Sequence, residues 1–124
     1  ERLGIVVDVL AARNPRLIPR LRARRAAARA LRAARRARAR GDWDAFARAA
    51  VGGMRQACAH LLGAEAEALT AGDVARAVPS ADPGAVHRVF LRADGEKFGA
   101  GSLPALESDA DAALALLSLL TRVQ

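Results

Sequence analysis

Residues 21 to 40, LRARRAAARALRAARRARAR, hold nine arginines, nine alanines and two leucines, and so narrow an alphabet admits few structures. Alanine and arginine rank among the best helix formers, and alanine is depleted in strands. At 100° per residue from Arg22, Ala23, Ala26, Ala27, Ala30, Ala33, Ala34 and Ala37 fall between about 20° and 140°, with Leu31 at the border. Every arginine falls between about 160° and 360°. The segment is thus a helix with one face of methyl groups and one of guanidinium groups. Methyls bury too little area to hold a helix in a bilayer interface, so the alanine face suits close contact with another helix. The arginine face is either a solvated back or a surface for an anionic partner.

The rest of the chain supplies that second helix and others. Glu1 to Arg20 is a lead-in that Pro15 and Pro19 keep from being one continuous helix, so the long helix is expected to start near Pro19. Gly41 ends it, and Asp42 caps the next, DWDAFARAAVGGMRQACAHLLG, with Asp44 near the positive end of its dipole. Trp43, Phe46, Ala50, Met54, Ala57 and Leu61 recur at helical spacing, and Gly63 stands where a left-handed C-terminal residue belongs. Gly52 and Gly53 weaken this helix unless a neighbour needs the close approach they permit. The alanine face of the first helix is that neighbour.

A short third helix is marked by Thr70 and Asp73 as a capping box, Leu69 and Val74 as a hydrophobic staple, and Pro79 as its stop. A fourth begins at Ser80 or Asp82 with Pro83 in its first position, buries Val86, Val89 and Phe90, and breaks at Gly95. Ser108 and Asp111 repeat the capping-box spacing before AALALLSLLTRV, whose Ala113, Leu116, Leu117, Leu120 and Val123 form an apolar stripe. No segment alternates with period two. The expectation is an all-α fold, a small monomeric bundle of four to five helices with a long Arg/Ala-rich first helix. Residues 1–19 are read as the lead-in and 20–124 as the helical domain.

At 124 residues the chain is one domain by size, with a net charge of +7. The charge is uneven: residues 1–40 hold thirteen arginines against Glu1 and Asp8, while residues 41–124 hold seven basic against eleven acidic residues. All basic residues but Lys97 are arginine, a pattern of GC-rich coding that reduces what the charge alone can mean. A single cysteine, Cys58, excludes an internal disulfide. The start at Glu1 and the absence of a signal-peptide pattern suggest a fragment of something longer.

Few residues converge on chemistry. Cys58 and His60 lie about 200° apart on one helix, and His87 is on another, which is poor geometry for a metal. Cys58, within an apolar helix, is expected to be a buried and inert thiol. The pairs Asp42/Asp44 and Asp109/Asp111 resemble an acid–base couple, but both stand at helix starts, where capping accounts for them. The glycine-rich DGEKFGAGS has no preceding strand and lacks the ending of a phosphate loop. Its Phe98 is expected to be buried against the last helix, or presented to a partner together with Lys97. No cofactor, metal or catalytic residue is assigned, and the chain is expected to be non-catalytic.

The order of features then adds information: an Arg/Ala helix, GDWDAFARAA, a short capped helix opening LTAGDVARAV, the loop GEKFGAG, and a leucine-rich last helix. Over about residues 20 to 124 this resembles the C-terminal cytoplasmic region of the BatD family of bacterial aerotolerance proteins. Asp42 to Phe46 match the family's Asp/aromatic helix start. Lys97, Phe98 and Gly99 to Gly101 stand where the family loop more often has Arg-Tyr-Ala-Pro. The resemblance implies a membrane span ahead of residue 1 and a location on the cytoplasmic face of the bacterial inner membrane. It further implies a scaffold or adaptor role in an envelope or stress-tolerance assembly with membrane proteins bearing von Willebrand A domains and a MoxR-type ATPase. Arg22, Arg24, Arg25, Arg29, Arg32, Arg35 and Arg36 would then touch anionic lipid or a partner. The alternative is a small nucleic-acid-binding module using the same arginines on phosphates. Specific reading of bases is not expected, since the segment offers no Asn, Gln, Ser, Thr or Lys.

Overall fold

The computed structural model describes residues 17–95 and 105–123. Five α-helices follow one another: α1 (Leu17–Ala39), α2 (Trp43–Leu62), α3 (Ala71–Ala77), α4 (Pro83–Asp94) and α5 (Ala110–Leu120), with a 3-10 turn at Ala66–Ala68 between α2 and α3. No strand occurs among the described residues, so the chain is an all-α bundle. Pro19 lies in the first described turn of α1, where a missing N–H breaks no hydrogen bond within the helix. Lys97 and Phe98 lie outside the described residues.

Asp42 both closes α1 and opens α2. Gly41 takes φ 69°, a left-handed conformation that costs glycine little, which turns the chain so that the Asp42 N–H reaches the Ala37 carbonyl at 2.9 Å. The Asp42 carboxylate then accepts from the Ala45 N–H at 3.1 Å. This tight reversal lays α1 antiparallel along α2, its main neighbour, with α5 as its second. At the far end of α2, Gly63 takes φ 65° and stops the helix as its position in the sequence indicates.

The alanine face of α1 is the buried face. Ala23, Ala26, Ala27, Ala34 and Ala37 are buried together with Leu31, and Ala30 is 9% exposed. Opposite them, α2 contributes Phe46, Ala47, Ala50, Met54 and Ala57, and Trp43 stacks edge-on against Phe46 with ring centroids 5.4 Å apart. Closeness depends on one glycine. A Cβ added at Gly53 would stand 2.1 Å from the Ala30 Cβ and 3.2 Å from Leu117 Cδ2. Gly52, expected to serve the same approach, does not: a Cβ there would meet nothing within 4 Å. The reason is angular, because consecutive helix residues point about 100° apart and only Gly53 faces α1.

The remaining helices close the core. Thr70 and Asp73 make the reciprocal capping box at α3, with bonds of 3.2 and 2.9 Å, and Leu69 and Val74 are both buried. Asp82, rather than Ser80, caps α4 by accepting from the Gly84 and Ala85 N–H groups, with Pro83 in the first position. Val86, Val89 and Phe90 of α4 and Ala113, Leu116, Leu117 and Leu120 of α5 are buried as their spacing predicts, and Val123 is half-buried.

The start of α5 departs from the expected capping box. Asp109, rather than Ser108, occupies the cap position, and it makes no side-chain cap bond. Its carboxylate instead accepts two hydrogen bonds from Arg88 of α4, at 2.7 and 2.8 Å. Asp111 pairs with Arg38 of α1 at 2.8 Å. A two-pronged guanidinium offers the buried Asp109 oxygens more than a single peptide N–H can, so the carboxylate at the cap position serves the ion pair and not the helix start.

Candidate interaction surface

The outer face of α1 carries Arg22, Arg25, Arg29, Arg32, Arg35 and Arg36, all exposed. Five of them, Arg22, Arg25, Arg29, Arg32 and Arg36, repeat at steps of three and four. They therefore form one stripe about 80° wide and about 21 Å long. None of the six makes an ion pair or hydrogen bond within the described residues. Like charges three and four residues apart on a helix repel by roughly 0.2–0.5 kcal/mol per pair, so the stripe carries an internal strain that nearby acid would relieve.

Arg24, the seventh arginine assigned to this surface, is turned toward the bundle. It is half-buried, and its Nε donates to the Val123 carbonyl beyond the end of α5. Helical angle alone places Arg24 at the edge of the arginine face, but the C-terminal segment that captures it comes from far along the chain.

Between α1 and α2 runs a shallow groove of about 270 Å3. Ala26, Ala30, Ala33 and Ala49 line it with methyls, Gly52 and Gly53 with bare backbone, and Arg29, Arg48 and Gln56 stand at its edges. Arg48 is exposed and contributes to the low pKa of Asp44, yet the Asp44 carboxylate itself is held by Arg92 at 2.8 Å. The groove thus has a small, flat floor and cationic rims.

A second cleft, of about 280 Å3, opens between α2 and α4 beside Phe90, His87, Leu91 and Arg55. Arg55 is already engaged. Its Nε donates to the Leu69 carbonyl at 3.0 Å, its Nη2 lies 3.4 Å from Asp94, and its guanidinium sits 4.9 Å from the Phe90 ring centroid. This cation pins the start of α3 and the end of α4 to α2.

The carboxylates report the same pairing. The hydrogen bond from Arg92 lowers the pKa of Asp44, and that from Arg88 lowers the pKa of Asp109. Asp73 is lowered by the Thr70 backbone N–H that it caps. Burial pushes the Cys58 thiol up to about 11, in keeping with an inert packing residue. Among the described residues no three His, Cys, Asp or Glu side chains gather where a metal ion could be held, and no helix is long and apolar enough to cross a membrane.

Sequence reasoning finds the arginine stripe but not its rims or pairings. Arg92–Asp44, Arg55–Asp94 and Arg88–Asp109 join residues 48, 39 and 21 positions apart. No periodicity signals such pairs. No family model, curated protein or solved structure matches the chain.

Proposed function

We propose that this chain is a non-catalytic scaffold or adaptor domain of the BatD type. In this reading it sits at the cytoplasmic face of the bacterial inner membrane and serves an envelope or stress-tolerance assembly with von Willebrand A-domain membrane proteins and a MoxR-type ATPase. One observation carries it: α1 presents six exposed arginines that no described acid satisfies, while its other face is fixed to the bundle. A charge surface so placed is suited to binding an anionic partner, and the resemblance supplies the assembly in which such a partner is found. A nucleic-acid module would use the same face, but that face offers only sequence-independent phosphate contacts.

Two measurements test the proposal. The chain is mixed with a recombinant von Willebrand A-domain membrane protein and a MoxR-type ATPase of the kinds that the resemblance implies, and co-elution with at least one is expected. It is also titrated with unrelated duplexes and single strands at about 150 mM salt, where phosphate-only binding is strongly weakened. Failure to co-elute with either protein, or sub-micromolar binding that ranks one nucleic-acid sequence above the others, overturns the adaptor reading.

A further inference from the structure

Intramolecular packing leaves one feature of α2 unused. Gly53 is required by the Ala30 methyl beside it, but Gly52 has open space where its Cβ would stand. A glycine inside a helix is less stable than alanine at the same place, so Gly52 weakens α2 while no part of the described chain occupies the space it leaves. That space belongs to the α1–α2 groove. What comes there can approach the α2 backbone as closely as α1 approaches it at Gly53.

The rims say what charge it carries. Arg29 on α1 and Arg48 on α2 border the groove; among the described residues Arg29 has no acid, and the one carboxylate near Arg48, Asp44, is already held by Arg92. Arg29 also lies midway along the stripe from Arg22 to Arg36, whose alternating steps of three and four match the repeat by which one helix meets another along its length. We propose that the α1–α2 groove is the docking site for an acidic helix of a partner protein. That helix sets small residues against Gly52 and Ala33, and carries Asp or Glu at its edges opposite Arg29 and Arg48. The inference rests on the adaptor reading and gives the partner's chemistry at its site.

Other occupants use only part of this surface. A lipid headgroup layer or a duplex meets the arginines but has nothing to place on a floor of methyls and bare backbone. A second copy of the chain that meets this face with its own brings the same positive stripe and is repelled. The cleft beside Phe90 differs because Asp94 and the Leu69 carbonyl already hold its cation.

The test titrates the chain at about 150 mM salt with a synthetic helical peptide of about three heptads, bearing Glu at its edge positions and Ala and Ser between them. Phosphatidylglycerol vesicles and a random-sequence duplex are run in parallel. The peptide is expected to bind more tightly than either. Gly52→Leu projects a side chain into the groove from a position where its Cβ meets nothing within 4 Å, and should weaken the peptide by about tenfold or more while leaving vesicle binding unchanged. Arg29→Glu combined with Arg48→Glu should weaken it comparably, with binding restored by a peptide in which the Glu residues facing those two positions are replaced by Lys. Equal peptide affinity in Gly52→Leu overturns the groove as the site. Tighter binding of vesicles or of the duplex overturns the acidic helix as occupant. Co-elution with the assembly proteins that persists in all these variants overturns the site alone, whereas failure of the unaltered chain to co-elute overturns the adaptor reading.

Discussion

Arg55, Arg88 and Arg92, on α2 and α4, each hold a carboxylate from another part of the chain. Arg22, Arg25, Arg29 and Arg32, on the outer face of α1, hold none among the described residues. The difference lies in what surrounds them. Arg88 lies over Asp109, which is 4% exposed and could not remain charged there without a partner. These four arginines project from a helix whose alanine face packs on α2 and α5, and among the described residues only Arg24 and Arg38, at the borders of the arginine face, are reached by the rest of the bundle. One residue type therefore fastens the bundle in one region and is left free for something outside it in another. Composition cannot distinguish the two, and the +7 net charge is largely the free class.

The comparison can be broken at the seam that holds the stripe in place. Gly53→Val forces side-chain atoms into Ala30 and Leu117, and should destabilise the chain by about 3 kcal/mol or more in urea unfolding. A loss below about 1 kcal/mol would mean that α1 is free to shift and its outer face is not fixed. Removing a fastening arginine comes next: Arg88→Ala leaves the buried Asp109 carboxylate without its two charged donors and should cost about 2 kcal/mol. Changing Arg25 or Arg32 to Gln should alter stability by less than about 0.5 kcal/mol, with a gain rather than a loss as like-charge repulsion is relieved.

Acid should separate the two classes as well. The folded pKa values of Asp44, Asp73 and Asp109 lie below their ordinary values, so the stability they contribute is present above the unfolded carboxylate pKa of about 3.9 and is lost as pH falls through the folded values. The unfolding free energy should decline as pH drops below about 5. That decline should be shallower in Arg88→Ala and unchanged in Arg25→Gln. A second gain, modest beside the losses above, is expected at the groove: Gly52→Ala should stabilise the chain by about 0.5–1 kcal/mol, since the added methyl meets open space and the helix loses a glycine.

Much of the fold was legible because its signals are local. Asp42, Thr70 with Asp73, Asp82, Pro83 and Gly63 each act within four residues of their position, and the structure finds them in those roles. The buried alanine face of α1 follows from angle alone. The Ser108–Asp111 box fails because Asp109 takes the cap position, and an Asp there can either cap or pair, with the deciding partner, Arg88, 21 residues away. Gly52 and Gly53 were read together because adjacency in sequence hides a 100° difference in direction. Of the candidate surface, the stripe was legible as a helical repeat. The groove was not, because it exists only once α1 and α2 are side by side.

The buried Cys58 gives the chain a practical transparency. Burial pushes its thiol up to about 11, so the reactive thiolate is scarce at pH 7, and the sulfur is enclosed by the core as well. The native protein is thus nearly silent toward thiol-directed reagents. A cysteine placed at exposed Gln56, on the rim of the groove, would take a fluorophore alone, and the light it emits would report directly on whatever settles between α1 and α2.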